Sequence, residues 1–123
     1  MTDGTLSGCL ILVVEDEYLL AQDLCAALAD EKAVVLGPAA TIEQALTLVR
    51  EADQLSGAIL DINLRGEPAF ALADELLARK VPFVFTTGYG SSAIPDRFGH
   101  VTRCEKPVRV EQVVAALGRV SSV

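Results

Sequence analysis

The chain is short of cations: its 10 lysines and arginines face 17 acids, leaving a net charge of −7. A surface built to grip nucleic-acid phosphates needs clustered basic residues, so no nucleic-acid partner is expected, and a protein or a cation is. Cysteine is also scarce. Cys9, Cys25 and Cys104 are odd in number and widely separated, which excludes a disulfide framework and a metal knuckle. All three read as reduced packing residues, two of them inside apolar runs where a thiol behaves as a small hydrophobe. No apolar run approaches the roughly 20 residues of a membrane span, and Met1 to Gly8 has neither a basic start nor a long apolar stretch. The expectation is no membrane segment and a cytoplasmic location. The single histidine, His100, is far from the acidic motifs and is paired with no nucleophile, so it reads as a surface residue rather than a phosphocarrier. Polar bias of the kind that signals disorder is missing as well, since 51% of residues are hydrophobic and 22% charged. That balance fits one domain over residues 1–123 with a real core.

What is present is an alternation of two hydrophobic periods. Cys9 to Val14, CLILVV, is continuously apolar and β-branched, the pattern of a strand covered on both faces. Tyr18, Leu19, Ala21, Leu24, Cys25, Ala27 and Leu28 then recur at helical spacing, closed by the charged Asp30, Glu31 and Lys32. Ala33 to Leu36 is a second apolar run that stops at Gly37 and Pro38, and Thr41 opens a capped helix carrying Ile42, Ala45, Leu46 and Val49. Gly57 to Ile62 predicts a third strand, followed by the polar break NLRGEP and a helix from about Ala69 to Lys80. Val81 to Thr86 predicts a fourth strand and Val101 to Glu105 a fifth, with an amphipathic helix from Val108 to Val120. Between those last two strands, Thr87 to Gly99 holds three glycines, two serines and a proline, leaving room only for a short or frayed helix. Five strands alternating with helices imply right-handed crossovers and a doubly wound, five-stranded parallel sheet of the α/β class. Ligands of such sheets bind beyond the carboxyl ends of the strands.

Those ends carry the chemistry. Glu15, Asp16 and Glu17 follow the first strand, and Asp61 ends the third. Crowded carboxylates repel, so a cluster of this kind calls for protonation or a bound cation. Hard oxygen ligands without thiolate or imidazole favour Mg²⁺ (or Mn²⁺), with Glu15, Asp16 and Asp61 as ligands. The ordinary structural alternative is that these acids cap the next helix, an explanation most apt for Glu17. It does not serve Asp61, because Pro68 and the turn residues separate that acid from any helix start. Thr86 and Thr87 close the fourth strand before Gly88, and Lys106 closes the fifth before Pro107. A hydroxyl, an ammonium and a metal together would satisfy the oxygens of a phosphoryl group. Each signal alone is ordinary, a Thr in a strand or a Lys in a loop; their order along the chain is the specific feature.

With VVEDE at Val13 to Glu17, LDINLRG at Leu60 to Gly66, the Thr87–Gly88 pair and EKP at Glu105 to Pro107, the chain resembles the receiver domain of two-component response regulators over nearly its whole length. The resemblance implies a flavodoxin-like architecture with Asp61 as phosphoacceptor, Glu15 and Asp16 as the acidic pair, and Asn63 lending a backbone carbonyl to Mg²⁺. It also implies Thr87 as the switch hydroxyl, Lys106 as the phosphoryl-pairing lysine, and a cis peptide before Pro107. The implied partners are a sensor histidine kinase or phosphotransfer protein and a downstream protein target, with no substrate turnover beyond the chain's own aspartyl phosphorylation and dephosphorylation. Output would then pass through protein contact, unless the chain is a piece of a longer regulator.

The pattern departs from the usual one where an aromatic stands three residues before the lysine, because Arg103 holds that place. Phe85 to Gly90, FTTGYG, resembles the FATGUY subgroup of receivers, which lack the aromatic and are associated with kinases of the HWE type. The subgroup's usual Ala is replaced by Thr86, and Tyr89 stands one place early. Phosphorylation is therefore expected to reorder the segment Gly88 to Gly99, including Gly88, Tyr89 and Gly90, rather than flip one ring at position 103. Rival functions fit less well. An aspartate-nucleophile phosphatase of the haloacid dehalogenase class needs a general acid two residues after the nucleophile, where this chain has Asn63. A flavodoxin-like FMN carrier needs a phosphate loop where this chain places three acids. A docking-only pseudo-receiver is the remaining alternative, at odds with the joint presence of Asp61, Thr87 and Lys106.

Overall fold

Strand β1 (Leu10–Val14) alternates its side chains between two apolar layers, which is why the run carries no polar residue. The computed structural model describes residues 6–88 and 94–121. Helix α1 (Tyr18–Asp30) follows, then β2 (Val34–Ala39), α2 (Ile42–Glu51) and β3 (Gly57–Asp61). A short antiparallel hairpin of β4 (Asn63–Leu64) and β5 (Glu67–Pro68) leads into α3 (Phe70–Ala78) and β6 (Phe83–Thr87). A 3-10 turn at Asp96–Phe98, β7 (Arg103–Glu105) and α4 (Val110–Ser121) complete the order. The five main strands form one parallel sheet in the order β2-β1-β3-β6-β7.

Both faces of the central strands β1, β3 and β6 are covered, as their apolar runs require. Ile11, Val13, Ile59 and Val84 pack against Leu24 and Leu28 of α1 and Val113 and Leu117 of α4. Leu12, Val14, Leu60 and Phe85 pack against Ala45 and Val49 of α2 and Leu72 and Leu76 of α3. The three cysteines are half-buried and join the α1/α4 layer.

Two elements differ from expectation. Strand β2 runs on through Gly37 and Pro38 instead of stopping there, with a cis peptide between them and a register shift opposite Leu12 to Val14. It is an edge strand, where a proline removes no ladder hydrogen bond. Gly37 has φ +102°, and a Cβ there would lie 2.9 Å from the Ala39 amide nitrogen and 3.0 Å from the Val13 carbonyl oxygen, so only glycine fits. The polar break after Asp61 is a paired hairpin whose turn residues Arg65 and Gly66 take φ 51° and 85°. Positive φ at both central residues is the two-residue hairpin geometry, here with an arginine where Asn or Gly is commoner. Among the described residues, the β6–β7 connection contains only the 3-10 turn, as its glycines and proline foretold.

Candidate functional site

Parallel strands bring their carboxyl ends to one rim, and β1, β3, β6 and β7 deliver acids, threonines and a lysine there. Asp61 ends β3 beside its β6 partner Thr86 and is 3% exposed. Glu15, one residue past β1, is 2% exposed. Carboxylate oxygens of Glu15, Asp16 and Asp61 lie within 4.8 Å of one another. Asp61 Oδ1 accepts the Asn63 amide at 3.1 Å, and Asp16 Oδ2 accepts the Arg65 amide at 2.9 Å, so the β4–β5 hairpin is tied to two of the three acids.

Lys106 enters from beyond β7, positioned by its own amide, which donates to the Thr87 carbonyl at 2.7 Å, and followed by a cis peptide to Pro107. Its ammonium donates to Asp61 Oδ2 at 3.0 Å and to Glu17 Oε2 at 2.8 Å, and lies 3.2 Å from Glu15 Oε1. Burial alone would lower its pKa, but the bonds to Glu17 and Asp61 and the nearby charges prevail and raise it. Burial pushes the Glu15 carboxyl up to about 8; the Glu17 amide and Lys106 oppose this, and Asp61 adds to it. Glu15 Oε1 is fully buried and has no hydrogen-bond partner, the ammonium being close but poorly aligned. An orphaned, desolvated carboxylate oxygen facing two further carboxylates is the donor set of a hard divalent cation, so these residues fit Mg²⁺ or Mn²⁺.

The structure thus gathers Glu15, Asp16, Asp61, Asn63 and Lys106 at one point, with buried Thr87 at the adjoining end of β6. It does not bring Arg103 there: that residue is exposed on β7, opposite Phe85. Tyr89 and Gly90 lie outside the described residues, and Gly88 lines a cleft of about 560 Å³ with Glu17, Leu20, Lys106, Pro107 and Val108. His100 is exposed. Sequence reasoning missed Glu17. It occupies the N-cap of α1 but makes no side-chain cap bond, and reaches Lys106 instead. Nothing local foretells a partner 89 residues away.

Neither a family model nor a curated protein matches the chain. Solved structures do. The solution structure of SdrG from Sphingomonas melonis Fr1 is 36% identical over 92% of this chain and 97% of that one, with a TM-score of 0.76. The BeF3-activated conformation of SdrG from Pseudomonas melonis Fr1 is also 36% identical, over 90% of this chain and 97% of that one, at a TM-score of 0.72. A response regulator receiver protein from Sinorhizobium medicae WSM419 shares the fold at a TM-score of 0.75, with 21% identity over 96% of this chain and 98% of that one. The parallel sheet, the acidic rim with its lysine, and identity carried over almost the full length of both chains lead to one conclusion: the chain belongs to the receiver-domain family of response regulators.

Proposed function

We propose that this receiver accepts a phosphoryl group from a phosphohistidine, on a sensor kinase of the HWE type or on a phosphotransfer protein, and carries it on Asp61. The observation that carries the reading is the buried Asp61 carboxylate held between Lys106 and the Glu15–Asp16 pair. In the transfer, a bond from phosphorus to an Asp61 carboxylate oxygen forms as the bond to the donor nitrogen breaks, and the nitrogen keeps the electron pair. Glu15, Asp16, Asp61 and the Asn63 carbonyl would hold Mg²⁺ or Mn²⁺, which when bound supplies positive charge against the phosphoryl oxygens. Lys106 supplies a donor from the other side, and the Thr87 hydroxyl a further one once the new oxygens are in place. The chain acts as an acceptor that signals by protein contact and turns over no separate substrate. The likeness to a BeF3-activated conformation of SdrG supports this reading.

Incubation with acetyl phosphate and Mg²⁺ followed by intact-mass measurement tests it. The native protein should gain one phosphoryl group, and excess EDTA or Asp61→Asn should abolish the gain. Labelling that survives the substitution would overturn the assignment.

A further inference from the structure

We propose that Glu17 is a positioning residue for Lys106: an exchangeable counter-ion that incoming phosphoryl oxygens displace, and that thereby sets how strongly the site draws its donor. This rests on the reading of Asp61 as the phosphoacceptor. At the N-cap of α1 an acid ordinarily accepts from the helix's own amides, but the Glu17 side chain makes no such bond. It spans instead to the Lys106 ammonium at 2.8 Å, the shortest of three carboxylate contacts, the others being Asp61 at 3.0 Å and Glu15 at 3.2 Å.

An ammonium has three N–H donors, and three acids already surround this one. A phosphoryl group on Asp61 brings up to two negative charges and three acceptor oxygens, so Lys106 reaches it by releasing a present partner. Glu15 and Asp61 are buried and fixed in the rim. The Glu17 side chain is 63% exposed against 17% for Lys106, so it can leave into water. The cleft that Glu17 and Lys106 line opens beside the pair, between Leu20, Gly88, Pro107 and Val108. Glu17 therefore also stands its negative charge where an anionic donor enters. Both effects weaken donor binding, and neither acts on the bond-making step once the donor is seated.

The test follows initial rates of labelling against acetyl phosphate concentration, with Mg²⁺ present, by intact mass. Glu17→Gln keeps the length and removes the charge. It should lower the half-saturating concentration about three- to fivefold, the size of an exposed ion pair, and leave the maximal rate the same to within about twofold. The difference should shrink at about 0.5 M salt, where exposed charges are screened. Glu51→Gln removes the same charge from the exposed end of α2 and should leave the half-saturating concentration where it was. An unchanged value in Glu17→Gln, or an equal fall in Glu51→Gln, would overturn the role given to Glu17. Adding Asp61→Asn to Glu17→Gln must abolish labelling; label that remains there sinks the acceptor reading and this inference with it, whereas a normally labelled Asp61 with unchanged half-saturation sinks the role of Glu17 alone.

Discussion

Thr41 sets the start of α2 with one hydroxyl: its Oγ1 accepts the Gln44 amide at 3.1 Å, while Gln44 Oε1 accepts the Ala40 amide at 3.0 Å. The first bond satisfies an amide that the first turn of a helix leaves without a partner, and the second ties the chain just before the cap back onto that turn. Thr41→Ala should therefore cost about 1 kcal/mol of stability, read as a lower urea midpoint at unchanged slope. This cap was legible in the sequence because its partners stand three residues apart. Asp61 was legible for a different reason, namely that an acid ending an apolar strand with no helix start beside it needs an explanation beyond packing. Lys106 was legible only through its place in the order of strand-end residues. Glu17 was not, because an acid at a helix start already has an ordinary explanation and its true partner comes from the other end of the chain. The Asp16 bond to the Arg65 amide was hidden in the same way, since a backbone donor leaves no residue-type signal.

At the level of elements, the apolar runs gave each of the five sheet strands to within three residues at each end, most closely for β1 and β3, which are buried on both faces and admit a polar side chain only at the carboxyl end. The β4–β5 hairpin was illegible, being polar and turning at an arginine in the left-handed region. The segment before β7 shows what hydrophobic spacing alone cannot. Phe98 is fully buried, stacked on Phe70 at 5.7 Å and edge-on to Phe85 at 5.7 Å, while Phe83 meets Phe85 at 5.4 Å. All four phenylalanines of the chain thus form one cluster. Arg97 covers the Phe98 ring at 4.6 Å and holds Asp74 of α3 through two bonds of 2.8 and 3.0 Å. The far end of the β6–β7 connection is consequently anchored to α3 and β6. Phe98→Ala should remove this anchor at a cost of about 3–5 kcal/mol, the range for emptying a packed aromatic site. Arg97→Ala, which loses an exposed pair, should cost under about 1 kcal/mol. Chemical denaturation of the two variants side by side checks the order, and equal losses would contradict the anchoring role of the ring.

For the whole molecule, the net charge of −7 is not spread evenly, since Glu15, Asp16, Glu17 and Asp61 share one rim with Lys106 as the cation that holds three of them. Folding concentrates this charge: in the unfolded chain the acids of β1 and β3 are separated and solvated, whereas in the fold Glu15 and Asp61 are almost dry. The rim is thus unfavourable on its own; the ammonium compensates it, and the proposed cation would be a second source. Lys106→Met keeps the apolar stem and removes the first source. In EDTA it should lower stability by about 1–3 kcal/mol, the scale of charge-assisted bonds lost from a partly buried group. The second source can then be measured separately. A cation that binds only the folded rim stabilises it by about 2.7 kcal/mol at 100 times its dissociation constant, and it binds more tightly where no ammonium competes for the same carboxylates. Excess Mg²⁺ should therefore raise the melting temperature of Lys106→Met by more than that of the native protein and narrow the gap between them. The same comparison in Asp61→Asn, which lacks one ligand, should show a smaller rise in both backgrounds. If Mg²⁺ moves the native protein and Lys106→Met equally, the ammonium and the cation do not act on the same carboxylates, and the electrostatic account of this rim fails.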